Sequence, residues 1–221
     1  FFASCSQFGE NPSGDHLEEI KKSPNYDIEI NRFKNRIENM WKQMSERDSF
    51  WDNPRKRISN NYFFNSAETI PENKLPEVKP PNIKEFMQST ESIKFIWFGH
   101  STLLVNINNT IILIDPVFSK AASPVSFLVN RFQPPVLKLR DLPKIDYVLI
   151  SHDHYDHLDM NTIVFFKEKD VKFIAPLGVT SHLKRWGIHE SKLFEKDWWG
   201  KLEFEGITFI CTPAQHFSGR L

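Results

Sequence analysis

Beyond residue 91 the apolar positions fall into short runs separated by turn formers. Ile93–Phe98, Thr102–Ile107 and Thr110–Ile114 alternate or run apolar over strand-like lengths, and Asn108-Asn109 between the last two predicts a hairpin turn. The β-branched run ending Tyr147–Ile150 predicts a buried strand, followed by a helix from about Met160 to Glu168. A strand at Lys172–Ala175 and a helix near Val179–Trp186 come next. Strands near Lys192–Phe194, Lys201–Phe204 and Ile207–Cys211 complete the pattern. Strands dominate with helices interspersed, so the expected class is α/β (α+β), the first half of an αββα sandwich with an extended N-terminal arm.

The arm spans residues 6–90, which are polar and rich in Asn, Lys, Glu and Pro. A weakly helical run from Glu29 to Arg47 puts Ile30, Phe33, Ile37 and Met40 at roughly helical spacing with Trp41 beside them. It is expected to pack one face on the main domain. Pro71, Pro76, Pro80 and Pro81 forbid regular structure, so a linker is expected there, with the core domain at 91–221.

The 221 residues are 40% hydrophobic with 20 Phe, enough for one substantial core. The 28 basic and 28 acidic residues cancel, which argues against nucleic acid as a partner. No apolar stretch approaches the roughly 20 residues that span a bilayer. With only Cys5 and Cys211 a disulfide framework is not expected, and Cys211 reads as a buried thiol in a strand. Phe1-Phe2-Ala3-Ser4-Cys5-Ser6, without an initiator Met, resembles a secretory signal running into a lipoprotein cleavage box. On that reading Cys5 carries lipid and the protein is membrane-anchored, facing the periplasm or exterior; otherwise it is cytoplasmic.

The densest chemistry lies in Ser151-His152-Asp153-His154-Tyr155-Asp156-His157, delivered by the strand before it. In extended backbone, residues two apart point the same way, so His152 and His154 converge on one ion while Asp156 and His157 reach a neighbour. Asp153 and Tyr155 point away, Asp153 as a structural hydrogen-bond acceptor. His16, His182 and His189 read as ordinary surface residues.

This His-x-His-x-Asp-His pattern resembles the metal motif of the metallo-β-lactamase fold superfamily, whose members are mostly two-metal hydrolases. Trp97-Phe98-Gly99-His100-Ser101-Thr102, Ile114-Asp115-Pro116-Val117-Phe118-Ser119 and Thr212-Pro213-Ala214-Gln215-His216-Phe217-Ser218-Gly219-Arg220 resemble its N-acylphosphatidylethanolamine phospholipase D-like branch. So does the leader from Phe8-Gly9-Glu10-Asn11-Pro12 to Lys22-Ser23-Pro24-Asn25-Tyr26. The resemblance implies a zinc-dependent phosphodiester hydrolase acting on N-acylphosphatidylethanolamine or a related glycerophospholipid. His216 becomes the third ligand of the first ion, and Asp156 and His157 the catalytic ligands of the second. The family's further Asp and His would lie beyond Leu221, so the chain reads as a fragment, inactive alone, that holds about one zinc ion where the full-length protein holds two.

His100 and Asp115 end strands near these loops and read as residues that orient ligands. Phe118, Phe127, Leu128 and Phe132 form an apolar insertion, read either as core or as a substrate lip that contacts acyl chains or a membrane surface. The alternatives are a lactonase or phospho-sugar hydrolase resembling ascorbate-6-phosphate lactonase, with a small soluble substrate, or a non-catalytic metal-binding protein. A homo-oligomer is compatible with either.

Overall fold

The computed structural model describes residues 6–37, 71–73, 75, 81–89, 92–125 and 129–220. Cys5, Met40, Trp41, Pro76, Pro80, Phe127 and Leu128 lie outside the described residues. The elements in chain order are α1 (Gly14–Lys21), β1 (Tyr26–Asp27), β2 (Arg32–Phe33), α2 (Ile83–Phe86), β3 (Lys94–Trp97), β4 (Leu103–Ile107) and β5 (Thr110–Ile114). They continue with β6 (Tyr147–Leu149), α3 (Met160–Phe165), β7 (Lys172–Pro176), α4 (Thr180–Arg185), β8 (Leu193–Lys196), β9 (Lys201–Phe204) and β10 (Ile207–Ile210).

A six-stranded mixed sheet in the order β3-β4-β5-β6-β7-β8 organises the chain. The β3, β4 and β5 strands are antiparallel, and Asn108 and Asn109 turn the second hairpin with φ of 49° and 66°, the left-handed pair that a tight two-residue hairpin needs. From β5 to β8 the pairing is parallel, with α3 and α4 as crossovers.

Register sorts the side chains into two rows. Leu104, Leu113, Val148, Phe173 and Leu193 stand side by side and face the larger core with Leu158, Ile163 and Leu183. Leu103, Ile114, Leu149, Ile174 and Phe194 occupy the opposite face. There Ile112, Tyr147 and Ile174 pack against Leu202, Phe204 and Phe209 of the β9–β10 hairpin. Strands apolar on both faces must be covered on both, which makes three layers: helices, sheet and hairpin.

The N-terminal segment departs from expectation. Over the described part of 29–47 there is no helix: β1 and β2 pair as a small hairpin, and Ile30 and Ile37 are exposed. Asp27 Oδ1 accepts from the backbone N–H of Glu29 and of Ile30, and Asn31 takes φ of 51°, so local turn chemistry overrides the helical spacing. Tyr26 and Phe33 meet edge to face at 5.2 Å across the hairpin. The helix forms earlier, as α1, with Asp15 in its first turn and Lys21 in its last, and buries Ile20. The core also reaches upstream of residue 91, because Phe86 of α2 is buried in it and its carbonyl accepts from Asn106 Nδ2 at 2.8 Å.

Asp159 is a structural acceptor that sequence reasoning missed. It caps α3 by accepting from Asn161 N, and it also accepts from Phe118 N, Ser119 N, Ser119 Oγ and Thr162 Oγ1. Asp159→Ala strands several donors at once and is expected to destabilise the fold by about 3 kcal/mol, measured by denaturant unfolding. A loss below about 1 kcal/mol would show that water replaces these bonds freely.

Candidate metal centre

The parallel strands β5 and β6 end on the same sheet edge. Because β4 runs antiparallel to β5, the β3–β4 turn arrives there too. Three segments therefore converge: Gly99–Ser101, Asp115, and the loop from Ser151 to His157. The loop after β10 brings His216 to them.

Two groups of donors result. His152, His154 and His216 place one ring nitrogen each within 4.8 Å of one another, and so do His100, Asp156 and His157 with one ligand atom each. In the first group His216 Nε2 lies 3.1 Å from His152 Nε2 and 3.3 Å from His154 Nδ1. In the second, His100 Nε2 is 2.9 Å from Asp156 Oδ2, and His157 Nε2 is 3.8 Å from the same oxygen. The groups adjoin, since the His152 and His157 ring centroids are 4.0 Å apart.

Asp115 sets the proton positions. Its Oδ1 accepts from Ser151 N at 2.7 Å, and its Oδ2 accepts from Ser151 Oγ at 2.7 Å and from His157 Nδ1 at 2.8 Å. A carboxylate has no proton to give, so Ser151 spends its single O–H on Asp115. Its oxygen is then left to accept from His152 Nδ1, 2.9 Å away. Both His152 and His157 therefore carry their proton on Nδ1, and in the neutral ring Nε2 offers a lone pair. Each Nε2 faces its own donor group, which is the arrangement that metal-bound histidines require. The donor chemistry of both groups fits a divalent cation.

Electrostatics point the same way for His152. Burial first, then the neighbouring His157, His154 and His216, push its pKa down to about 4, so the ring stays neutral. For His157, burial lowers the pKa, but the hydrogen bond and charge of Asp115 and the charge of Asp156 outweigh it, and the net shift is upward.

Behind the first group a buried network fixes the His216 loop. Asp153 accepts from Ser218 Oγ at 2.5 Å and from Gly219 N at 3.2 Å, and His182 Nε2 lies 3.5 Å from its carboxylate. Hydrogen bonding holds the Asp153 pKa below the ordinary value despite burial. Gly219 lies against the His154 ring so closely that a Cβ there would collide with it. His154 Nε2 is buried on that side without a hydrogen-bond partner.

The reading of His182 as a surface residue is corrected. It is buried, and its Nδ1 accepts from Glu10 N at 3.1 Å. His16 is half-buried, 2.8 Å from Glu195, while His189 is exposed. Arg220, which sequence reasoning noted only within a motif, is buried. It donates from Nε to the Asp153 carbonyl at 2.9 Å and from its other nitrogens to the carbonyls of Gln7 and Leu158, and it stacks over the Tyr155 ring at 4.1 Å. Of the apolar insertion, Phe118 packs into the core against Phe98 at 5.5 Å and forms no lip, whereas Phe132 is exposed.

Residues 110–221 match the Beta-lactamase superfamily domain, and the chain belongs to that family. It is 42% identical over 142 residues to an uncharacterized protein of Mycobacterium tuberculosis, covering 63% of this chain and 38% of that one. It is 37% identical over 134 residues to the N-acyl-phosphatidylethanolamine-hydrolyzing phospholipase D 1 of Caenorhabditis elegans, covering 56% and 38%. Among solved structures, Igni18, a metallo hydrolase from Ignicoccus hospitalis, aligns with TM-score 0.38 and 22% identity over 51% of this chain and 43% of that one. The chain thus spans 38% of the length of these two sequence relatives.

Two of the shifted histidines, His152 and His157, have opposite effects on the metal-free protein. Unfolded His152 charges below about 6.5 but folded His152 only below about 4, so its contribution to stability falls as pH drops through that window. His157 has its folded pKa raised, so its contribution is present below 6.5 and is lost as pH rises through the folded value. Ring-proton NMR titration is expected to show His157 charging well before His152 as the pH is lowered. The reverse order would remove the proton assignment given to Asp115.

Proposed function

We propose that the protein is a zinc-dependent hydrolase that cleaves a phosphodiester by phospholipase D-type action on N-acylphosphatidylethanolamine or a related glycerophospholipid. The observation that carries the hydrolase reading is the pair of adjoining three-donor groups, with the protons of His152 and His157 directed away from them. His152, His154 and His216 hold one zinc, and Asp156 and His157 bind a second. When bound, zinc supplies Lewis acidity toward water and a phosphoryl oxygen at neutral pH.

The chain's own residues do the positioning. Asp115 and Ser151 hold two imidazoles in the ligand tautomer, Asp153 and Arg220 fix the His216 loop against the His152–His157 loop, and Gly219 lets that loop approach His154. No Ser or Cys nucleophile is needed. The lipid substrate is supported by likeness to N-acyl-phosphatidylethanolamine-hydrolyzing relatives from Caenorhabditis elegans and Saccharomyces cerevisiae, at 37% and 30% identity. A bilayer substrate requires contact with a membrane surface, to which lipidation at Cys5 would tether the protein. None of the described helices is long and apolar enough to cross a membrane.

In the full-length protein, chelation is expected to abolish hydrolysis of both vesicle-borne N-acylphosphatidylethanolamine and a soluble bis-aryl phosphodiester, and added zinc to restore it. His154→Ala and His216→Ala should each lower turnover by more than the roughly 10–100-fold that outer partners of a metal site carry. Activity that survives chelation would contradict the hydrolase mechanism. Hydrolysis of the soluble diester alone would retain the metal chemistry and remove the lipid substrate.

A further inference from the structure

His216 stands on an exposed loop whose two flanks are held by different parts of the chain. Downstream, Ser218, Gly219 and Arg220 all donate to Asp153. Upstream, the loop meets the N-terminal arm, 178 residues and more away in sequence. The side-chain oxygen of Asn35 accepts from His216 N at 3.1 Å. One residue earlier in the loop, the Gln215 amide meets both backbone groups of Ile37: Oε1 accepts from Ile37 N at 3.2 Å, and Nε2 donates to the Ile37 carbonyl at 3.5 Å. A side-chain amide carries an acceptor and a donor side by side, so it pairs with the N–H and C=O of one residue much as a neighbouring strand does.

The arm reaches this loop from a seat of its own. Ile20 of α1 is buried, and beyond it Ser23 Oγ and Asn25 Nδ2 both donate to Asp197 Oδ2, at 2.5 and 3.0 Å. The β1–β2 hairpin follows, and Lys34 N closes it by donating to the Asn25 carbonyl at 2.7 Å. Asn35 is the next residue. The hairpin therefore delivers its side chain, half-buried, to the backbone of the ligand loop.

We propose that Asn35 and Ile37 form a clasp that presets His216 for the first ion, which makes the N-terminal arm a positioning element of that metal site. The proposal rests on the zinc reading above and deepens it. A ligand on a loose loop must be ordered when the ion binds, and that cost weakens the hold on the ion. A loop held on both flanks is ordered already when the chain folds. Asn35 offers its oxygen to the His216 backbone and not to the ring, so it acts through the ligand and is no ligand itself.

Variants of the full-length protein separate this role from packing. Asn35→Leu keeps the size of the side chain and removes the acceptor, whereas Asn35→Asp keeps an acceptor oxygen. Ile37→Pro removes the N–H that Gln215 accepts, at a position whose side chain is exposed. Backbone hydrogen exchange over 212–217 is followed by mass spectrometry in metal-free protein. Zinc affinity is read by competition with a chromophoric chelator, with His216→Ala marking the step that belongs to the first ion, and folding is checked by denaturant unfolding.

Asn35→Leu and Ile37→Pro are expected to exchange faster than the wild type over 212–217 and to hold the first ion about 10-fold more weakly, the lower end of what outer partners of a metal site carry. Asn35→Asp is expected to keep the wild-type protection and to bind the ion no more weakly than the wild type. Ile37→Pro carries the test if Asn35→Leu fails to fold. Wild-type zinc affinity in folded Asn35→Leu, with or without faster exchange, would overturn the proposal and leave the zinc reading in place. Equal weakening in Asn35→Asp would overturn it too, because the effect would then belong to packing around Asn35 and not to its acceptor. No bound ion in the wild type would overturn both the proposal and the metal-dependent reading beneath it.

Discussion

The carboxylate of Asp115, at the end of β5, is the constraint on which the site depends. It spans the gap between two parallel strands by accepting from the backbone and hydroxyl of Ser151, which follows β6, and it accepts a hydrogen bond from His157 Nδ1–H. Asp115 is buried and adopts φ of 41°, a left-handed backbone that costs a non-glycine residue free energy. Three charge-assisted bonds offset that cost and fix two imidazoles in one tautomer.

A second buried network ties distant parts of the chain to the same loop. Arg220 links the carbonyls of Asp153 and Leu158 to that of Gln7, and His182 links Asp153 to the backbone of Glu10. Trp186 Nε1 donates to the Ser6 carbonyl at 2.6 Å. The N-terminal segment therefore packs against the back of the metal loop. A buried guanidinium is tolerable because its donors meet carbonyls and its face meets the Tyr155 ring. These contacts leave the front of the loop, with its two donor groups, facing outward.

The sheet and the metal loop were legible in the sequence because both are written locally. Leu104, Leu113, Val148 and Phe173 occupy strand periodicities, Asn108-Asn109 is a turn on its own terms, and the His and Asp donors of the 151–157 loop lie within one strand-end segment. The rest depends on partners remote in sequence. His182 sits in a polar helical segment that reads as surface, and only the arrival of Asp153 and Glu10 makes it a buried residue. His100 meets Asp156 and His157 only because the β3–β4 turn reaches the sheet edge where β5 and β6 end. The spacing of Ile30, Phe33 and Ile37 misled because Asp27 and Asn31 build a turn that propensity alone does not reveal.

The central claim is that Asp115 and Ser151 place the protons of His152 and His157 on Nδ1, leaving both Nε2 atoms as lone-pair donors. Long-range 1H–15N correlation NMR of the histidine rings, in metal-free protein at a pH above the titration of His157, reads the tautomer of each ring directly. The account predicts Nδ1–H for both residues, and a switch or mixture of tautomers at both in Asp115→Ala. Finding Nε2–H at His152 and His157 in the wild type would mean that Asp115 does not orient them and would contradict the account.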